Sequence, residues 1–282
     1  MKEIHDFIVL ERRQLGSRYF SLVLGHGGQM QPVAPGQFVE VQVEGSRDVM
    51  LRRPISVHDV DEEAGTMTLL IQIVGNGTRK LAELQPGDKL NMVYPLGHGF
   101  SLTPAPSPSG EGSKMSALLV GGGAGIAPLL HLSKKLKERG VDCTILLGGR
   151  TAELIPVRDE FAPFGRLCIA TDDGSLGHKG LVVEHPAFSE NYDIIYTCGP
   201  TPMMKAVARS AAQRGIRCEV SLENMMACGV GACLCCVTDT DLGHRCVCKD
   251  GPVFNNYEID ELKEFGTSKR DVDGSLIVFR KT

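Results

Sequence analysis

Short runs of alternating apolar and polar positions fill the first hundred residues. Gln37 to Val43 contains Phe38, Val39, Glu40, Val41, Gln42 and Val43, close to the period of two of a half-buried strand. Thr66–Val74 is rich in β-branched residues, and Pro86-Gly87-Asp88 turns the chain into a further strand at Lys89–Val93. Several short strands at this spacing predict an all-β unit, a small barrel or sandwich. Leu102 to Lys114, crowded with proline, serine and glycine, breaks the pattern and reads as a linker.

Beyond it the rhythm changes to strand–helix–strand. Ala117–Val120 is an apolar strand running into Gly121-Gly122-Gly123-Ala124-Gly125-Ile126-Ala127-Pro128. A helix follows with Leu129, Leu132 and Leu136 on one face, Lys134, Lys135 and Lys137 mostly outside, and Gly140 just past its end. Further strands are expected at Asp142–Leu147, Arg166–Ala170, Asp193–Thr197 and Ile216–Val220. A last helix is expected to start at Thr201-Pro202, with Thr201 as its cap, and to stop near Gly215. Strands and helices alternating at this length imply a mainly parallel sheet covered on both faces.

Composition narrows the function classes. The 282 residues exceed one comfortable core, and are 42% hydrophobic and 23% charged with a net charge of −4. No basic block or stripe appears, which argues against nucleic-acid binding. The N-terminus is too polar for a signal peptide, and no apolar run reaches membrane length. With ten cysteines and no export signal, the expected address is the cytoplasm.

Six of those ten cysteines fall between Cys228 and Cys248. Cys228, Cys233 and Cys236 stand in the C-x4-C-x2-C order of plant-type [2Fe–2S] ferredoxins. A fourth thiolate must come from Cys246 or Cys248, which lie on one face if their segment is a strand. Cys235 and Cys236 are adjacent and cannot both reach one iron, and the x2 spacing from Cys233 selects Cys236. Structural zinc usually shows two C-x2-C pairs, and only Cys233/Cys236 has that spacing. Disulfides would need an oxidising compartment, and buried free cysteines rarely crowd beside glycines in a loop. An iron–sulfur cluster is the expected occupant.

Two further loops carry candidate chemistry. Gly121–Pro128 follows a strand and opens a helix, where a dinucleotide pyrophosphate can meet free N–H groups; Pro128 stands where the usual fingerprint has its third glycine. Cys198-Gly199-Pro200 falls at the carboxyl end of a strand in the same unit, the position at which open α/β sheets bind ligands. In the β unit, Arg53 offers a fork suited to phosphate, with Ser56 near it; Thr78 is expected to cap a short helix over Arg79–Leu84. No nucleophile–base pair stands out, as expected where cofactors perform the chemistry, so no catalytic side chain is named.

Taken in order, L-R-R-P-I-S (51–56), G-N-G-T (75–78), P-L-G-H-G-F (95–100), V-G-G-G-A-G-I-A-P (120–128), C-G-P-T-P-M-M (198–204), C-G-V-G-A-C (228–233) and C-K-D-G-P-V-F (248–254) resemble the electron-transfer subunits of class 1B dihydroorotate dehydrogenase, in the ferredoxin–NADP reductase superfamily. The resemblance runs to about residue 257. It implies an FAD-binding antiparallel β-barrel over 1–101, an NAD-binding α/β domain over 115–220, a [2Fe–2S] domain over 221–265 and an unmatched tail over 266–282. It implies that Arg53, Pro54, Ile55, Ser56, Leu70, Ile71, Gln72, Gly77 and Thr78 hold FAD. Gly122, Gly123, Gly125, Pro128, Cys198, Gly199 and Pro200 would serve NAD, and Cys228, Cys233, Cys236 and Cys248 the cluster. Cys248 is preferred over Cys246 through the following Asp250-Gly251-Pro252.

The family's partner is an FMN-containing dihydroorotate dehydrogenase catalytic subunit, in a heterotetramer of two of each, working in pyrimidine (UMP) biosynthesis. Asp172-Asp173 after the 166–170 strand would repel a 2′-phosphate and favours NAD, while Arg150 pulls the other way. Two rivals remain: a related subunit serving a sulfide dehydrogenase or NAD(P)H–ferredoxin oxidoreductase, and a zinc-stabilised regulatory protein without redox function.

Overall fold

The computed structural model describes residues 1–45, 49–102, 114–240, 243–256, 268–270 and 276–278. Most of the expected linker and of the 266–282 tail lies outside these. Strands β1 (Glu3–Leu15), β2 (Tyr19–Gly25), β3 (Phe38–Val41), β4 (Arg53–Asp61), β5 (Thr66–Gln72) and β6 (Lys89–Leu96) close into an antiparallel barrel in the order β1-β2-β5-β4-β3-β6. Phe7, Phe20, Leu22, Val39, Val41, Leu69, Ile71 and Met92 fill it, all 1% exposed or less. Of the two β architectures open from the alternation, the barrel forms. Closure removes the free sheet edges except where β4 and β5 separate beyond Val57 and Leu69.

One expectation changes here. β3 is not half-buried: Phe38, Val39, Glu40 and Val41 are all enclosed. Its outer face is covered by the cysteine segment, which approaches closely enough that a Cβ on Gly229 would lie 2.6 Å from Glu40 Cγ and 3.0 Å from Leu96 Cδ1.

The second unit is a seven-stranded sheet ordered β10-β9-β8-β7-β11-β12-β15. Its strands are β7 (Ser116–Gly122), β8 (Asp142–Gly149), β9 (Arg166–Thr171), β10 (His178–Lys179), β11 (Ile194–Cys198), β12 (Arg217–Ser221) and β15 (Val253–Asn255). All pair in parallel except β15, which runs antiparallel on the β12 edge. Helix α2 (Ala127–Glu138) buries Leu129, Leu132 and Leu136 as its spacing predicts, and helix α3 (Thr201–Gln213) covers the sheet with Met204, Val207, Ala208 and Ala211. Thr201 is the first residue of α3 rather than its cap, which Pro200 provides without a side-chain bond.

Barrel and sheet are joined through α2. His58 on β4 bonds Ala127 O at 2.8 Å and lies 3.3 Å from Glu160; Asp59 accepts from Lys134 at 3.1 Å and sits 3.5 Å from buried His131. Both carboxyls are held below their ordinary values: burial would raise them, but His131 and Lys134 at Asp59, and His58 and Arg13 at Glu160, prevail.

The cysteine segment leaves the sheet after β12 and returns to it at β15. Between them lie the hairpin β13 (Val237–Thr240) and β14 (Gly243–Cys246) and the one-turn helix α4 (Val247–Asp250). The short helix α1 (Asn76–Leu81) follows β5, and β16 (Ser268–Arg270) pairs antiparallel with β17 (Leu276–Val278). Among the described residues no helix is long and apolar enough to cross a membrane.

Candidate redox centre

The barrel wall is split on one side. β4 and β5 pair only from Val57/Leu69 to Asp61/Thr66. Past that point Arg53–Ser56 pair with β3 alone, and Leu70–Gln72 with β2 alone. The two stretches singled out by resemblance therefore face each other across an open seam, with main-chain groups turned toward it. Ile71 is 1% exposed inside the barrel, so only its backbone can serve a ligand there, and Leu70 is turned toward α2.

Arg53 anchors this seam. Its Nη1 donates to Leu51 O at 2.9 Å and Arg52 O at 3.2 Å, and the residue as a whole is half-buried. Gly77 packs on it: a Cβ there would lie 2.7 Å from Arg53 Nε. Arg52 is instead spent on the fold, donating to Glu40 O, Asn91 O, Gln42 and Asn91. α1 begins at Asn76, earlier than expected, so Thr78 lies within its first turn and not ahead of it. Its Oγ1 accepts from Val74 N at 2.9 Å and Gly75 N at 3.1 Å and donates to Gly75 O, fixing the loop's shape.

In the α/β unit the two glycine-bearing loops touch backbone to backbone. A Cβ on Gly125 would overlap the main chain of Cys198 and Gly199, and one on Gly199 would stand 2.8 Å from Gly122 O. Pro128 occupies the first turn of α2, after a 3₁₀ turn at Gly123–Ile126. Cys198 is buried, and burial pushes its thiol up, so it behaves as a small apolar residue. Two groups at this junction escaped the sequence reading. Tyr19 on β2 is 1% exposed and its hydroxyl has no hydrogen-bond partner among the described residues; it lies 3.8 Å from where a Gly123 Cβ would be. Glu223 is exposed, and desolvation raises its carboxyl.

The cysteine loop arranges donors around sulfur. Cys228 Sγ accepts from Val230 N at 3.4 Å, Ala232 N at 3.3 Å and Cys233 N at 3.5 Å, a wrap made possible by positive φ at Gly229 (67°) and Gly231 (86°). Burial opposes ionisation of Cys228, but these amides prevail and hold the thiol near 6. Cys236 Sγ accepts from Cys248 N at 3.3 Å and from the Cys248 thiol, which brings it to about 7 and drives Cys248 up in turn. Thiolates are the metal-binding form.

The two candidates for the fourth position are placed differently. Cys246 ends β14 and Cys248 sits in α4, so the two do not share a strand face. The chain turns helical because Cys246 N donates to Asp250 Oδ2 at 2.7 Å, and the turn sends Cys248, not Cys246, onto Cys236. Burial raises the thiols of both Cys235 and Cys246. Sulfur-rich donors, inward amides and lowered thiols fit an iron–sulfur cluster.

Comparison with known proteins bears on the same regions. Residues 223–260 match the iron–sulfur cluster binding domain of dihydroorotate dehydrogenase B, and residues 10–100 match the oxidoreductase FAD-binding domain. The electron transfer subunit of dihydroorotate dehydrogenase B (NAD(+)) from Geobacillus kaustophilus (strain HTA426) is 41% identical over 255 residues, covering 89% of this chain and 96% of its own. That from Bacillus caldolyticus is 42% identical over 255 residues, with coverage of 89% and 96%. The chain belongs to this family. Among solved structures, the NADH-dependent reduced ferredoxin–NADP oxidoreductase superposes with a TM-score of 0.79 at 31% identity, covering 91% of each chain. The ferredoxin reductase of carbazole 1,9a-dioxygenase, at 21% identity and a TM-score of 0.61 over 76% of this chain and 67% of its own, shares the fold. In this electron-transfer-subunit family, FAD, a [2Fe–2S] cluster and NAD are the expected partners of the barrel, the cysteine loop and the α/β sheet.

Proposed function

We propose that the chain is the electron-transfer subunit of a dihydroorotate-oxidising enzyme of pyrimidine biosynthesis. It takes electrons from the FMN of a catalytic partner and delivers them through [2Fe–2S] and FAD to NAD+. The observation that carries this reading is the docking of the cysteine loop on β3, whose neighbour β4 borders the open seam. A flavin exchanges hydride with nicotinamide and single electrons with a cluster, so it joins the two kinds of chemistry.

The chain's residues position and insulate. Arg53 would pair the flavin's phosphates, with Pro54, Ile55, Ser56, Leu70, Ile71 and Gln72 lining the seam and Gly77 and Thr78 shaping the adjoining turn. Cys228, Cys233, Cys236 and Cys248 would ligate iron. The loops of Gly122, Gly123, Gly125 and Pro128 and of Cys198, Gly199 and Pro200 would take the dinucleotide beside Tyr19. Ten thiols suit a reducing, cytoplasmic setting. A heterotetramer with two catalytic subunits is the assembly proposed, and Met225, Val230 and Leu234, all exposed, are the proposed docking patch; Met226, expected to belong to it, is buried and does not.

The test is reconstitution with an FMN-containing dihydroorotate dehydrogenase subunit. Dihydroorotate-dependent NADH formation should require both chains, and should fall with iron content. The likeness at 31% identity to the ferredoxin–NADP oxidoreductase favours one second reading, a subunit accepting electrons from ferredoxin. Reduction of nucleotide by reduced ferredoxin, with none from dihydroorotate, would establish it.

A further inference from the structure

Glu40 is 0% exposed, and neither of its carboxyl oxygens has a hydrogen-bond partner among the described residues. Burying a carboxyl without partners costs several kcal/mol in general, and such groups in folded proteins call for a reason. The contrast within this chain is direct. Glu219 is 4% exposed, but its carboxylate takes Ser101 N at 2.8 Å, Ser101 Oγ at 2.6 Å and Arg217 at 2.7 Å. Nothing comparable serves Glu40, although Arg52 donates to its main-chain oxygen.

Its position supplies the reason. On β3, Glu40 pairs with Pro54 of the flavin stretch on β4. Its side chain meets Gly229, the residue after Cys228, where a Cβ would be 2.6 Å from Cγ and 3.3 Å from Oε1. One buried carboxyl thus lies between the strand beside the seam and the loop that offers sulfur. Hydrogen bonds, burial and net charge around the sulfurs are what set the potential of such clusters.

We propose that Glu40 tunes the cysteine loop: its buried carboxyl, packed against Gly229, sets the reduction potential of the cluster. This rests on the cluster reading above. Negative charge on a carboxyl packed against Gly229, one residue from Cys228, opposes an added electron, so removing it favours the reduced state.

The experiment uses the full chain purified with its cluster. Glu40→Gln and Glu40→Leu are compared with wild type by redox titration followed through the paramagnetic signal, with iron, sulfide and flavin measured in each. The expected result is about a tenfold rise in the reduced-to-oxidised ratio at fixed ambient potential, about 59 mV for a one-electron couple. Glu219→Gln, at a buried carboxyl held by Ser101 and Arg217 and not packed on Gly229, should leave the ratio within twofold. If Glu40→Leu fails to fold, Glu40→Gln carries the test because it keeps size and shape. An unmoved ratio, or a shift toward the oxidised form, overturns the role of Glu40 alone. A wild-type chain without iron and sulfide overturns the cluster reading and this inference together.

Discussion

The backbone N–H of Cys248 points at Cys236 Sγ from 3.3 Å, across twelve residues of chain. The two cysteines are joined through the α4 turn, from which Cys246 is held back by its bond to Asp250. Cys248→Ser is therefore expected to abolish or severely weaken the cluster, and Cys246→Ser and Cys235→Ser to leave it near normal. Iron, sulfide and the paramagnetic signal after reduction check this; loss in Cys246→Ser with a normal cluster in Cys248→Ser would reverse the assignment.

Flavin retention is expected to depend on Arg53. Removing a charge-assisted contact of roughly 1.5–3 kcal/mol weakens binding about ten- to a hundredfold. Arg53→Ala should shed FAD on dilution while keeping its iron. Gly77→Ala should act in the same direction, since its methyl would press on Arg53 Nε. Unchanged flavin content in Arg53→Ala would refute the role.

The contact between the two nucleotide loops is expected to be intolerant. Gly125→Ala places a methyl into the backbone of Cys198–Gly199, which cannot yield as a side chain could. Overpacking of this kind costs about 1–3 kcal/mol. A lowered Tm and a raised KM for nucleotide are the expected readings; a wild-type KM would show that the loops do not bind it.

Nucleotide preference is expected to favour NADH. Asp172 and Asp173 are exposed at the end of β9, and Asp173 is held ionised by the Ser175 side chain and amide. Arg150 is close enough for its carbonyl to accept from Asp173 N at 3.2 Å. Asp172→Ala/Asp173→Ala should raise the efficiency with NADPH relative to NADH in dye reduction. Equal efficiencies in wild type would refute acidic exclusion.

Acid should loosen the barrel from the sheet. The carboxyls of Asp59 and Glu160 are depressed in the folded state, so their contribution is present above the ordinary value near roughly 4 and lost as pH falls through the depressed values. Asp59→Asn should cost about 1 kcal/mol at pH 7, roughly 2–4 °C in Tm, and shrink the acid-induced fall. An identical pH profile in the variant would remove Asp59 from that role.

Much of this was written in the chain. Cysteine spacing announces sulfur ligation because x4 and x2 loops return thiolates to one centre, and the β7–Gly123–α2 order announces a nucleotide loop. Glu40 was not legible. In an alternating run it resembles a solvent-facing residue, and only the cysteine segment, nearly two hundred positions later, buries that face. Tyr19 and Glu223 were hidden for the same reason, since their surroundings come from elements far apart in sequence. The seam was half visible: the candidate stretches could be named, but only strand register shows that β4 and β5 part company beside them. That Cys246 and Cys248 do not share a face depends on the switch from strand to helix at Cys246, which a pattern of twos does not announce.

Ser221 and Val253 are paired across β12 and β15, although the whole cysteine segment lies between them. The iron-binding part is thus an insertion whose two ends are already neighbours in a sheet belonging to the other domain. Replacing 222–252 by a tight turn would join the two strands directly, and would uncover Glu40, Phe38 and Leu96, which the segment now buries.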